Sequence, residues 1–235
     1  MPFDPSIRVM KADAELIWNE VPRPEGDETP PGEDVQFFES ADGKFTAGLW
    51  RRPVREGAMT RPYHEVSIII DGIAEVMDPD GTVHRAGPGD VLVTPRGSSG
   101  VWRCVTDVKK FWAICETDEE APGAWVVEGD SELDWQEVPR PEGDTAPPGE
   151  ETVIWRSDDG NFVCGFWRRG PEEGDMQPPY HEIAYVLEGQ VLVTEPSGTV
   201  HDVGPGDTLI TPNGSEAVWK SLSPVCKFWV IYKSD

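Results

Sequence analysis

Basic residues are scarce in this chain of 235 residues, which has 20 Lys and Arg against 44 Asp and Glu and a formal net charge of −24. A nucleic-acid partner needs a basic face that neutralises phosphates, and an anionic membrane surface attracts basic segments in the same way. The composition therefore argues against both nucleic acid and membrane as partners.

Long apolar runs and paired cysteines are also missing. No stretch approaches the roughly 18 apolar residues that span a bilayer, and the first residues lack the basic start and apolar run of a secretory signal. Cys104, Cys115, Cys164 and Cys226 include no CxxC pair, so they suggest neither a zinc site nor a redox pair. We therefore expect a cytoplasmic protein with reduced, mostly buried thiols.

Turn-forming residues are abundant, with 24 Gly and 23 Pro. This composition favours many short strands over long helices. Between Glu65 and Gly97, short apolar runs rich in β-branched residues are separated by DG, PDG and GPGD turns, which is typical of strands. The predicted fold class is all-β, as a sandwich or a jelly-roll barrel.

The chain contains an internal repeat. Residues 18–112 align without a gap with residues 135–229 at a constant offset of 117, and VPRPEGD, PPGE, PYHE and GPGD occur in both copies. A period of 117 is the size of a domain. We infer a tandem duplication with domains at 1–117 and 118–235.

Two segments outside the strand-rich part of each copy carry their own predictions. In the joining segment, Trp125 and the two valines after it are candidates for a strand that crosses to the other domain. The PRPEGD…PPGE stretch is interpreted as an arm packed against the other copy or another subunit.

Two motifs in each copy resemble those of the cupin family. In the first copy six residues separate Glu65 from Gly72, and Gly89-Asp90 leads to a PRG turn at 95–97; the second copy has matching residues 117 positions later. The W-x(7)-KFW pattern that ends each copy resembles the cupin branch with the ureidoglycine aminohydrolase-type and ethanolamine-utilisation cupins. The resemblance implies a bicupin with two tandem jelly-roll (double-stranded β-helix) barrels, each with a pocket at one open end.

The resemblance also implies where a metal ion would bind. Metal-binding cupins hold the ion with two His and the Glu of the first motif and one His of the second. The three His positions carry Met59, Arg61 and Gly100 in the first copy and Met176, Pro178 and Ala217 in the second. A lone carboxylate does not retain a transition metal against water, so we expect no full metal site and no cofactor. A divalent transition metal held with His64 or His181 is the weaker alternative, because strand alternation turns each of them away from the neighbouring Glu.

Glu65 and Glu182 are the candidate catalytic residues. A carboxylate buried without a partner has a raised pKa and can act as a general acid or base; an Arg-paired carboxylate would instead only shape the pocket. The candidate ligand-binding residues are matched between the copies: Tyr63 and Tyr180, Trp50 and Trp167, Trp102 and Trp219, and Arg51 and Arg168. The alternative is that the tryptophans belong to the core or to an interface, and that the arginines are exposed strand residues.

Three functions are compatible with these features. We favour a small-molecule-binding bicupin of unknown ligand without a full metal site. The second is a cupin enzyme similar to the ureidoglycine aminohydrolase type, with or without a metal, acting on a small polar nitrogen or carbonyl compound. The third is a structural or interaction protein with filled barrels. The expected partner is a small-molecule ligand, and both a monomer and a homodimer stay open.

Overall fold

The computed structural model describes residues 6–22, 31–121, 123–129, 131–138 and 149–233. Within these ranges, all of the regular secondary structure is β-strand. The prediction of an all-β fold is thus confirmed, and no helix of the described residues could span a membrane. Most of the two proline-rich PRPEGD…PPGE stretches lies outside the described residues.

The strands follow the repeat. Up to residue 127 they are β1 (Arg8–Met10), β2 (Asn19–Glu20), β3 (Glu33–Glu39), β4 (Phe45–Arg52), β5 (Arg55–Thr60), β6 (His64–Asp71), β7 (Ala74–Met77), β8 (Val83–Ala86), β9 (Val91–Thr94), β10 (Ser99–Cys104), β11 (Val108–Cys115) and β12 (Trp125–Val127). After it they are β13 (Gln136–Glu137), β14 (Glu150–Arg156), β15 (Phe162–Arg169), β16 (Glu173–Met176), β17 (His181–Glu188), β18 (Val191–Thr194), β19 (Val200–Val203), β20 (Thr208–Thr211), β21 (Ala217–Ser221) and β22 (Val225–Tyr232).

Each copy of the repeat builds the same pair of antiparallel sheets. In the first, the described strands pair in the orders β12-β9-β6-β11-β4-β3-β2 and β5-β10-β7-β8. In the second, the orders are β1-β20-β17-β22-β15-β14-β13 and β16-β21-β18-β19. Met59 and Val76 from the small sheet and Ile69, Leu92 and Val108 from the large sheet form one buried cluster in the first barrel, so the core lies between the two sheets.

The compact units of the structure are residues 15–131 and residues 6–14 together with 132–233. The repeat alignment places the boundary between 117 and 118 instead. The difference arises because β12 extends the sheet of the first copy by pairing with β9, whereas β1 extends that of the second copy by pairing with β20. We call these two leading strands, which lie 117 residues apart, the exchanged strands.

The aspartate of each GPGD turn fastens an exchanged strand. Asp207 Oδ1 accepts a hydrogen bond from the Ala12 backbone N–H at 2.8 Å, and its Oδ2 accepts one from Lys11 Nζ. Asp90 Oδ1 accepts the Gly129 backbone N–H at 3.0 Å in the same way. Burial alone would raise the pKa of Asp207, but its hydrogen bonds with Lys11, Gly204 and Ala12 outweigh burial and hold the pKa below its ordinary value.

Gly72 and Gly189 end their strands in the sharp turns that the motif predicts. Their φ angles are 82° and 86°, a region that L side chains rarely adopt. A Cβ on Gly72 would lie 1.8 Å from the Asp107 carbonyl oxygen, and one on Gly189 would lie 2.2 Å from that of Pro224. Only glycine therefore lets β6 and β17 turn at this point.

Candidate functional site

Strand alternation aims a defined set of side chains into the first barrel. A cavity of about 410 Å³ is lined from β11 by Lys110, Trp112 and Ile114, and from β4 by Trp50 and Arg52. Each of these is separated from the next on its strand by one residue, as expected when one face of a strand is turned inward. The barrel is therefore not filled by its own side chains.

A buried cluster of three charged groups lies beside this cavity. Lys110 Nζ donates a hydrogen bond to Glu65 Oε1, which also accepts one from Ser67 Oγ at 3.0 Å. Glu65 Oε2 lies 3.4 Å from Arg61 Nε, and the same Nε donates to Thr94 Oγ1 at 3.1 Å. Glu65 and Lys110 are each only 5% exposed and the Arg61 side chain is 15% exposed, so two cations share one carboxylate in a largely buried position.

This cluster keeps Glu65 ionised. Burial by itself would raise the pKa of Glu65, but the charges of Arg61 and Lys110, with hydrogen bonds from Lys110 and Ser67, lower it to about 2. Of the two alternatives for Glu65, an unpartnered carboxylate with a raised pKa and a paired one, the structure shows the paired carboxylate. Burial also lowers the pKa of Lys110, and the charge of Arg61 adds to that effect.

Two tryptophans cover the ammonium group of Lys110. Its Nζ lies 4.7 Å from the centroid of the Trp102 ring and 5.3 Å from that of Trp50. The two rings meet edge to face, with their centroids 6.0 Å apart. The ammonium is therefore stabilised by cation–π contacts as well as by Glu65.

The second barrel repeats this centre in a simpler form. Lys227 Nζ donates to Glu182 Oε1 and lies 5.1 Å from the Trp167 ring centroid and 5.3 Å from that of Trp219. All four side chains line a cavity of about 680 Å³. Pro178 stands at the position of Arg61, so the carboxylate here lacks the second cation of the first barrel.

Both predicted tyrosines line the cavities with these groups. Tyr63 lies in the first and Tyr180 in the second. Burial, reinforced by the charge of Glu182, raises the pKa of Tyr180 to about 12, and burial raises that of Tyr63 as well. Each phenol is therefore neutral and can donate a hydrogen bond to a ligand.

The expectation for Arg51 and Arg168 needs correction. Arg51 Nε donates to Glu33 at 2.7 Å and Arg168 Nε donates to Glu150 at 2.8 Å, and both side chains are about half exposed. Since Trp50 points into the barrel, its neighbour Arg51 points away from it, and the same alternation holds for Arg168. The inward arginines are the next residues along, Arg52 and Arg169.

His64 and His181 make contacts that support the fold. The Nδ1 atom of His64 accepts the Arg96 backbone N–H at 3.0 Å, and that of His181 accepts the Asn213 N–H at 3.0 Å. Each bond ties the start of a strand to the PRG or PNG turn. Both imidazoles are buried, and neither lines the cavity of its barrel.

The residues at the cupin metal positions do not fit a metal ion. Met59 and Arg61 line the first cavity beside Glu65, and Met176 and Pro178 line the second beside Glu182. Each carboxylate is already bound by a lysine ammonium. Within the described residues, no three His, Cys, Asp or Glu side chains come together as a metal site would need. The weaker alternative, a metal held with His64 or His181, finds no support in this donor set.

Sequence reasoning missed Lys110, Lys227 and Arg61 as site residues. The signal was present, since KFW is repeated and its lysine is two residues away from Trp112 or Trp229, on the same face of its strand. The four cysteines are free thiols. Burial raises the pKa of Cys104, Cys164 and Cys226, which disfavours their reactive thiolate form.

Comparison with known proteins gives one family model. The model of the EutQ-like cupin domain matches twice, at residues 39–112 and 156–229. No curated protein matches the chain.

Several solved structures have the same fold. A protein of unknown function from Pseudomonas syringae is 19% identical over 97% of this chain and 100% of its own, with a TM-score of 0.75. A putative dioxygenase from Nostoc punctiforme is 13% identical over 98% of this chain and 84% of its own, with a TM-score of 0.74. Streptomyces albus HEPD, solved with 2-hydroxyethylphosphonate and Fe(II), is 10% identical over 98% of this chain and 77% of its own, with a TM-score of 0.65.

Proposed function

Because the chain belongs to the EutQ-like cupin family and carries one such domain in each half, we propose that it is a small-molecule-binding bicupin in which a buried lysine ammonium takes the role of the metal ion. The observation that carries the proposal is the lysine–glutamate pair beside each cavity, Lys110 with Glu65 and Lys227 with Glu182.

The ammonium groups retain unused hydrogen-bonding capacity. Lys110 Nζ and Lys227 Nζ each have three N–H donors, and within the described part of the chain each makes one side-chain hydrogen bond, to its glutamate. A ligand oxygen can accept a remaining donor inside the barrel. Because both lysines are buried, such a bond is stronger than on the surface.

The cavities support a ligand in preference to filled barrels. Their volumes of about 410 and 680 Å³ fall in the range of small-molecule sites. Aromatic walls with a few convergent polar groups are also typical of such sites. Trp50, Trp102 and Tyr63 in the first barrel, with Lys110 and Glu65, have this composition.

The test is a binding screen on the full chain. Small carboxylic acids, ureides and sugars are added in turn and the melting temperature is followed, since a ligand that binds the native state raises it. We expect a compound that raises the melting temperature of the wild type but not of the double variant Lys110→Met with Lys227→Met. Lys109→Met, one residue away on the other face of β11, is the control that keeps the response.

Removing one member of a buried ion pair can unfold the protein, so charge-neutral pairs are tested as well. Glu65→Gln with Lys110→Met, and Glu182→Gln with Lys227→Met, leave neither glutamate buried without its lysine. Binding that survives in all of these folded variants contradicts the proposal. So does binding that requires a stoichiometric transition metal, measured by metal analysis before and after chelator.

A second candidate function is favoured by the burial of Lys110. An ammonium with a lowered pKa beside a ligand cavity can donate a proton to a carbonyl oxygen or leaving nitrogen of a small substrate. Under this alternative, compounds that bind are converted, and NMR of the mixture shows product formation that stops in Lys110→Met. A ligand recovered unchanged after prolonged incubation contradicts it.

A further inference from the structure

The two cavities differ in charge although the barrels are copies of one sequence. Among the described lining residues, the first cavity has four basic side chains, Arg52, Arg55, Arg61 and Lys110, and two acidic ones, Asp34 and Glu65. The second has two basic side chains, Arg169 and Lys227, and five acidic ones, Glu151, Glu172, Glu173, Asp175 and Glu182. The first lining is therefore cationic in a protein whose net charge is −24.

Three repeat-matched positions account for four of the five charge units by which the linings differ, and Glu173, whose counterpart Glu56 does not line the first cavity, supplies the fifth. Arg55, Ala58 and Arg61 line the first cavity, and the residues 117 positions later, Glu172, Asp175 and Pro178, line the second. Each of the three replacements makes the lining of the second cavity more negative than that of the first. All three positions lie on the segment that contains β5 in one barrel and β16 in the other, so one short stretch of chain sets the charge of each cavity.

The basic groups of the first cavity have donors to offer. Within the described residues, the side-chain hydrogen bond of Arg61 uses Nε, which leaves its two Nη groups for a ligand. Arg52 Nε is buried without a hydrogen-bond partner, a costly state that a ligand oxygen would relieve. The Lys110 ammonium points to the same cavity.

From this arrangement we propose, building on the small-molecule-binding function above, that the first barrel selects small organic anions and the second barrel does not. The bound group is a carboxylate or phosphate whose oxygens meet Lys110, Arg61 and Arg52, and a short apolar or aromatic remainder lies against Trp50 and Trp102. Guanidinium groups suit both oxyanions because their N–H fork matches the spacing of the oxygens.

The experiment is calorimetric titration of the full chain with matched probes. Butyrate, benzoate and inorganic phosphate are compared with n-butylammonium and with neutral butyramide. For the wild type we expect one site per chain for at least one anion, weakened by added salt, and no comparable site for the cation. Binding of the carboxylates but not of phosphate, or of phosphate but not of the carboxylates, identifies the oxyanion that the site takes.

Variants assign the anion to a barrel. Arg61→Gln and Arg55→Glu should each weaken anion binding about tenfold or more, because each removes a charged donor. The reciprocal change in the second barrel, Glu172→Arg with Pro178→Arg, should create a second anion site per chain. Arg103→Gln, which removes an arginine of the first barrel that lies outside its cavity and pairs with Glu56, should leave the affinity unchanged.

The outcomes separate this inference from the function on which it rests. Binding of neutral or cationic probes that depends on Lys110, with no preference for anions, overturns the charge selectivity and leaves the binding function intact. Anion binding that is indifferent to both Arg61→Gln and Arg55→Glu also overturns the selectivity. Binding of no probe, anionic, cationic or neutral, to either barrel of the folded chain contradicts the binding function itself.

Discussion

At the scale of single residues, the paired lysine and glutamate are hard to explain by stability. A buried ion pair is often no more stabilising than apolar side chains of the same volume, because both charges must leave water. Glu65 and Lys110 nevertheless lie at 5% exposure beside a cavity that Leu and Met could have filled. Their burial beside the cavity supports the proposed ligand site.

The lowered pKa of Glu65 predicts a specific dependence of stability on pH. The folded pKa is about 2 against an ordinary value of 4.5, so the folded state favours the ionised form. The resulting stabilisation is complete above about pH 4.5 and is lost as the pH falls towards 2. Its size is on the order of 3 kcal/mol, since each pKa unit corresponds to about 1.4 kcal/mol.

Urea unfolding from pH 5 to pH 2 measures this effect. Glu65→Gln should have a lower free energy of unfolding at pH 5 and a flatter decline towards pH 2 than the wild type. The control is Glu56→Gln, whose side chain is 52% exposed in its pair with Arg103. An equally steep decline in the wild type and in Glu65→Gln would show that Glu65 is not held ionised by its partners.

The site was only partly predictable from the sequence, because some residues of a type that is usually exposed occupy positions that face the barrel interior. Tyr63, Trp50 and Trp102 were candidates because each is matched in the second copy of the repeat. Lys110 was not, because an isolated lysine is almost always exposed, and its partner Glu65 is 45 residues away. Selecting Arg51 together with Trp50 ignored strand alternation, which already pointed to Arg52.

At the scale of elements, the exchanged strands depend on single aspartates. Asp207 receives hydrogen bonds from Ala12, Gly204 and Lys11, whereas Asp90 receives them from Gly129 and Gly87. The lysine has no counterpart in the first barrel, because Glu128 stands at the matching position. Within the described residues, the aspartate that anchors β1 thus accepts one more hydrogen bond than the aspartate that anchors β12.

Replacing these aspartates should loosen the strands selectively. We expect Asp207→Ala to lower the free energy of unfolding by about 1–3 kcal/mol, because the buried Gly204 N–H and the partly buried Ala12 N–H lose their acceptor. Asp90→Ala should cost somewhat less, because the bond that it accepts from Gly129 is exposed. Hydrogen exchange should accelerate in residues 8–12 in the first variant and in residues 125–129 in the second. Equal exchange in both segments of either variant would rule out the assigned anchors.

The strand pattern was largely readable because glycine and proline mark the turns of each copy. The hairpin of DPDG and the turns at Gly72 and Gly89 follow from positive φ angles that glycine favours. The pairing of β1 was not readable, since residues 8–10 carry no signal for the distant strand that they join. Only the repeat offset relates them to the Trp125 strand, for which a crossing was expected.

At the scale of the whole molecule, the second barrel depends on a residue near the start of the chain. Ile7 is 2% exposed and belongs to the same buried cluster as Val186, Leu209 and Trp229. A mutation of Ile7 should therefore destabilise the second barrel, since the other buried members of this cluster lie at residue 163 and beyond.

Ile7→Ala tests this dependence. Truncation of a buried isoleucine costs about 2–5 kcal/mol, and hydrogen exchange should rise in residues 150–232 more than in residues 33–115. Ile17→Ala, at a position that is 86% exposed, should change the free energy of unfolding by less than about 0.5 kcal/mol. Faster exchange confined to residues 33–115 would contradict the strand assignment.

Strand exchange also decides how the chain can be divided. A cut after residue 131 would give one fragment with β1 and no β20 to receive it, and a second fragment with an open sheet edge at β20. Unpaired edges of this kind recruit further strands, so the complementary fragments would find each other when mixed. The chain can therefore be divided into two fragments whose association would be detected by the recovery of the folded second barrel.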